Sequence, residues 1–192
     1  MAVLILGLVL FLGVHSVRIV ADGWRTATIA RMGQGAWKGI YALASIAGFV
    51  LIVWGFGRAR ANPVYLYEAP MALRHVAGAL MVVSFILLVA TYVPRNSIKA
   101  RLHHPMVLAV KVWALAHLLA NGNLGDVVLF GSFLLWAVLS FRAARARDRA
   151  AGVVYPPGTA AGTGMAIALG IVLWAGFAFW AHGYLFGVRP FG

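Results

Sequence analysis

Leu102–Asn123 reads LHHPMVLAVKVWALAHLLANGN, and the fold turns on the environment such a segment requires. Most of it is apolar enough for a lipid bilayer. It nevertheless carries three histidines, a lysine, a tryptophan and two asparagines. Polar groups are costly in hydrocarbon and mark candidate functional positions where they occur. The segment is therefore a candidate centre, and the rest of the chain should read as an apolar cage around it.

The composition agrees. Of 192 residues, 63% are hydrophobic and only 10% charged, against about 25% charged in a soluble domain. This excludes a soluble globular fold and defines an all-α integral membrane protein. The 16 Lys+Arg against 4 Asp+Glu give a formal charge of +12. Such an excess also suits nucleic acid. Here, however, the basic residues fall between apolar blocks, where cytoplasmic loops of membrane proteins carry them, so no nucleic-acid partner is expected. The chain has no cysteine, which removes disulfides, thiolate metal sites and iron–sulfur clusters. Any transition metal must rely on histidine and carboxylate.

A membrane-crossing helix needs about 20 mostly apolar residues, and the spacing predicts about six: 1–21, 37–57, 71–93, 105–120, 124–141 and 163–186. The first resembles a signal-peptide core, but no charge precedes it and no small-residue cleavage site follows; it is expected to be retained. Residues 58–70 read as an interfacial loop with Tyr65 and Tyr67 as anchors. Asn121-Gly122 is a tight-turn signal, and Tyr155-Pro-Pro-Gly158 is a turn or short extended piece. Glycines four apart (Gly35/Gly39, Gly158/Gly162, Gly183/Gly187) permit close helix packing or self-association as a homo-oligomer. Without repeats or low-complexity tails, a single membrane-embedded domain over 1–192 is the simplest account.

Linkers 18–38, 94–104 and 142–162 hold eleven of the sixteen basic residues. The positive-inside rule then places both termini outside the cytoplasm, in the periplasm if the membrane is a bacterial inner membrane.

Histidine is the principal metal and haem side-chain ligand left to this chain. The six are His15, His75, His103, His104, His117 and His182. On the fourth predicted helix, Trp113, His117 and Asn121 are four apart and share one face; His104 and Lys111 define another. Blander readings stand beside these. His117 could bond a carbonyl on a neighbouring helix, Lys111 could snorkel to the interface, His103-His104 could be a wet helix start, and Arg18/Asp22 a surface ion pair.

His104-Pro105 followed by Trp113, His117 and Asn121-Gly122 resembles the NnrU family of membrane proteins. So do Val14-His15-Ser16 and the C-terminal Ala181-His182-Gly183-Tyr184-Leu185-Phe186-Gly187-Val188, and the resemblance covers essentially the whole chain. It implies a role in nitrite and nitric oxide metabolism, after which the family is named. The family is similar to 15-cis-zeta-carotene isomerase, a haem-b membrane enzyme. That likeness implies haem b held by His15 and His117, with Trp113 and Asn121 flanking the site, and an apolar small-molecule substrate. The relative's cysteine three residues before the second ligand is replaced here by Ala114, which puts ligand exchange and isomerase activity in doubt. An accessory factor for a respiratory nitrogen-oxide reductase and a small transporter are the alternatives. A His-Pro segment also occurs in isoprenylcysteine methyltransferase-like enzymes, but their acidic, Arg-Pro-rich C-terminal segment is missing here.

Rise counting sets His15 and His117 about 10 Å apart in depth, unless helix tilt closes the gap. A ligand pair drawn from one layer, either His75/His117/His182 or His15/His103/His104, is therefore an alternative.

Overall fold

The computed structural model describes residues 1–191. It is helical throughout: α1 Ala2–Val20, α2 Asp22–Ala61, α3 Met71–Tyr92, α4 Ser97–Leu102, α5 Pro105–Ala120, α6 Leu124–Ala150, α7 Ala160–Gly176, a π-helical turn Phe177–Ala181, and α8 His182–Phe186. Five helical stretches are long and apolar enough to cross a membrane, and the apolar α5 is shorter. The expected all-α, multi-pass membrane architecture is borne out. Large apolar side chains such as Val9, Leu43, Leu135 and Val172 are more than half exposed, as a lipid-facing surface requires.

Two of the expected linkers are helical instead. Residues 22–32 continue into α2 across a break at Gly33 (φ 86°, ψ 156°), a conformation that glycine alone adopts without strain. The arginine-rich 142–149 segment extends α6. Polar helices of this kind carry no apolar signal, so hydropathy could not reveal them.

The chain divides into two compact units. One comprises Met1–Glu68 with Gly122–Ser140; the other comprises Ala69–Asn121 with the chain from Phe141 on.

In the first unit α1 and α2 run antiparallel. Glycines bring the two backbones together: Gly7 lies against Leu51 and Ile52, Gly48 against Phe11, and Gly55 against Val3 and Leu4. The start of α6 joins them through Phe130, edge-on to Phe56, and Phe133, 5.9 Å from Phe11. Its N-terminus is fixed by an antiparallel bridge between Tyr65 and Asn123. There the Asn123 side chain caps the Asp126 amide and donates to the Asp126 carboxylate.

In the second unit α3 is the middle helix. Ser84 Oγ donates to the Ala109 carbonyl at 2.9 Å, which sets its antiparallel register with α5. Gly170 of α7 lies on the Ile86 backbone, and Val89, Ala90, Val93 and Ala166 form a buried cluster. The α3–α4 corner is held by Asn96, 2% exposed. Its amide donates to the carbonyls of Ala90 (2.9 Å) and Val93 (2.6 Å), and its oxygen accepts from the Lys99 amide (2.8 Å). The extended Val153–Gly158 segment returns the chain to this corner, where the Thr159 amide donates to the Arg95 carbonyl at 2.7 Å.

These registers level the histidines of the second unit. Counting from Ser84/Ala109 places His75 of α3 beside Leu118 of α5. Counting from Ile86/Gly170 places it beside Ala181. His75, His117 and His182 therefore share one end of this unit, and His103 and His104 lie at the other.

Candidate functional site

His15 sits, part-buried, in the penultimate turn of α1. Its Nδ1 meets the Phe11 carbonyl one turn back, at 2.7 Å. With Nδ1–H donating, the neutral ring carries its lone pair on Nε2; the tautomer is assigned from this geometry. Phe11 stacks on the imidazole with centroids 4.2 Å apart, Tyr41 lies at 5.2 Å, and Trp136 stands edge-on at 6.1 Å. The Trp136 indole N–H is buried without a hydrogen-bond partner.

His15 also lines a cavity of about 260 Å³, whose other walls include Arg18, Arg25, Trp37, Lys38 and Tyr41. Asp22 faces Arg18 and Arg25, each at 3.8 Å. Two of those three cations thus share one carboxylate, and the cavity keeps a net positive lining.

His117 repeats the arrangement on α5. Its Nδ1 bonds the Trp113 carbonyl at 2.9 Å within its own helix. The Trp113 ring lies 5.3 Å away. The Asn121 side-chain amide donates to the His117 carbonyl at 2.9 Å, so the expected Trp113/His117/Asn121 stripe is realised turn by turn. Ala114, three residues before His117, is fully buried. His182 lies within electrostatic range of His117. Gly187 ends α8 in the left-handed conformation (φ 69°) and turns the chain back, so that the Val188 carbonyl meets His182 Nδ1 at 2.7 Å. Gly187 therefore serves a turn, a use the four-residue glycine spacing did not suggest. His75 is exposed on the first turns of α3.

The opposite end of the second unit holds a cluster that sequence reasoning missed. His104 Nε2 bonds Asp148 Oδ2 at 2.9 Å, and the Tyr155 hydroxyl donates to the same oxygen at 2.9 Å. His103 Nδ1 is 3.8 Å from it, and the His103 ring packs edge-on to Tyr155 with centroids 4.1 Å apart. Burial, reinforced by Arg145, holds the His103 pKa below the ordinary histidine value, against the pull of Asp148. Burial and the bond to Asp148 push the Tyr155 phenol up. Asp148 is the one acid in the basic run 142–149, which was the available signal. His103-His104 is thus tied to a carboxylate where a wet helix start was the blander expectation.

Among the described residues no three or more His, Asp or Glu side chains converge as a metal site. Haem supplies four of its iron's ligands itself and asks the protein for at most two. Imidazoles with Nδ1 anchored on a carbonyl present Nε2 in the way metal-ligating histidines do, so the donor chemistry of His15, His117 and His182 fits that group.

Long apolar helices with exposed apolar faces define a multi-pass, all-α membrane protein. The chain belongs to the NnrU protein family, whose profile matches residues 3–190. No curated protein and no solved structure matches it.

Proposed function

We propose that this protein is a haem-b-binding protein of the bacterial inner membrane, with both termini periplasmic, serving nitrite or nitric oxide metabolism. The observation that carries the haem reading is the surroundings of His15. Its ring is oriented by a carbonyl, an unpartnered buried Trp136 N–H lies beside it, and a cationic cavity suits the carboxylates of a porphyrin. His15 and His117 are the ligands the resemblance to the carotene isomerase supplies. Haem would contribute one-electron redox chemistry or an open coordination position. The chain's own residues fix the imidazole tautomer, exclude water and neutralise the carboxylates. With Ala114 in place of a thiol, no second ligand is available for exchange at that position, which favours a redox or accessory role over isomerisation of a polyene.

A second reading draws the ligands from one end of the second unit. It rests on the proximity of His117 and His182, both anchored through Nδ1.

The deciding experiment is the absorption spectrum of detergent-purified protein, oxidised and dithionite-reduced, with a pyridine haemochrome assay. It is repeated on His15→Ala, His117→Ala and His182→Ala. Loss of the Soret band in the first two supports the first reading, and loss in the last two with retention in His15→Ala supports the second. Absence of pigment after haem supplementation overturns both.

A further inference from the structure

A second cavity, of about 240 Å³, lies beside the His104–Asp148–Tyr155 cluster, and the haem reading makes no use of it. Its polar wall is Lys99, His103, His104 and Tyr155, and its apolar wall includes Met106 and Val107. The volume is below the range of drug-sized pockets and suits a single substituted ring.

The backbone around it is strained. His103 adopts φ 64°, ψ −119°, a left-handed conformation that costs a non-glycine residue about 1–3 kcal/mol and concentrates at functional sites. Its Nδ1 is also buried without a hydrogen-bond partner. Strain and a buried nitrogen without a hydrogen bond, 3.8 Å from Asp148 Oδ2, coincide at this residue.

The hydrogen-bonding pattern is directional. His104 gives Nε2 to Asp148, which leaves Nδ1 as the ring's other hydrogen-bonding atom, an acceptor in the neutral form. The Lys99 ammonium, which donates to the Thr91 carbonyl at 3.0 Å, keeps further N–H donors. One wall thus accepts an O–H and another donates to an oxygen. Met106 and Val107 begin the apolar helix α5 and provide a path for an apolar tail.

We infer that this cavity binds the ring of a membrane-soluble quinol, one hydroxyl donating to His104 Nδ1 and the other oxygen accepting from the Lys99 ammonium. The inference rests on the cavity and does not depend on haem.

The test uses full-length protein in nanodiscs, titrated anaerobically with decylubiquinol and followed by calorimetry, with empty nanodiscs subtracted. Saturable one-to-one binding is expected. His104→Phe, which removes the acceptor, and Met106→Trp, which fills the cavity without touching the dyad, should each weaken it at least tenfold. Circular dichroism reports whether each variant is folded. No saturable binding overturns the inference, as does wild-type affinity in a folded Met106→Trp variant. Equal competition by decanoate also overturns it and assigns the site to a fatty-acid carboxylate.

Discussion

Replacing Gly48 by alanine tests how the helix pair that carries His15 is held. A Cβ at this position would fall 2.7 Å from the Phe11 nitrogen and 2.9 Å from its Cα, where ordinary contact begins near 3.4 Å. The neighbour is backbone and has no rotamer to change, so α1 must move away by about 0.7 Å. Overpacking of this sort costs about 1–3 kcal/mol. Gly39 lies on the same helix with nothing within 4 Å of its Cβ position, so Gly39→Ala is the matched control. Both substitutions gain the same helix propensity, about 1 kcal/mol, and the difference between them isolates the strain. Gly48→Ala should therefore be less stable than Gly39→Ala by about 1–3 kcal/mol, read from tryptophan fluorescence during unfolding in mixed micelles. The displaced residue is also the one whose carbonyl holds His15 Nδ1 at 2.7 Å and whose ring stacks on it. Any pigment bound at His15 should then show an altered spectrum in Gly48→Ala and an unchanged one in Gly39→Ala. Equal stability of the two variants would refute the close-packing argument.

Asn96→Ala should destabilise the second unit by roughly 3 kcal/mol or more. It strips donors from two buried carbonyls, at about 1–3 kcal/mol each, and removes the cap on the Lys99 amide, worth about 1 kcal/mol; an unchanged unfolding midpoint would contradict the role assigned to this corner. His103 has its pKa lowered by burial and by Arg145, so the folded state favours its neutral ring. The stability it contributes is complete above the unfolded value of about 6.5 and is lost as pH falls through the lower folded value. The melting temperature should fall between pH 7.5 and pH 5.5, and fall less in His103→Asn, a residue that tolerates positive φ; parallel pH profiles would count against it.

The spans were legible because lipid imposes a length and a composition that no other environment demands. The 105–120 helix was bounded to the residue by Pro105 and Asn121-Gly122. What hydropathy could not convey was polar helix: residues 22–32 and 142–149 read as linkers and fold as extensions of α2 and α6. The glycine spacing was informative only in part: Gly158 and Gly162 do lie close against the Pro94–Ser97 backbone. Gly35 and Gly39 meet nothing, whereas Gly48 and Gly55, seven apart, carry the contact with α1. A small residue marks where an approach is permitted, and only the partner helix decides whether it is used. The Trp113/His117/Asn121 stripe was readable because its members lie on one helix and its C-cap. Asp148 and Tyr155 were not, because the carboxylate is 44 residues from His104 and no local period links them.

The six histidines look equivalent in the sequence, and the structure separates them by which nitrogen is committed. His15, His117 and His182 each spend Nδ1 on a backbone carbonyl. That bond suits an imidazole meant to offer Nε2 to a metal, and it needs no charge. His104 spends Nε2 on a carboxylate, an arrangement suited to holding the ring against a hydrogen-bonding ligand. A chain with only 4 acidic residues places one of them here, against two histidines and a tyrosine, at the end of the unit away from His117. The proposed pigment site and the proposed ring site therefore lie in different places. Loss of the Asp148 carboxylate should therefore impair ring binding while leaving any histidine-bound pigment intact. Asp148→Asn measured for both readouts separates them, and simultaneous loss of both in a folded variant would show that the two sites are one.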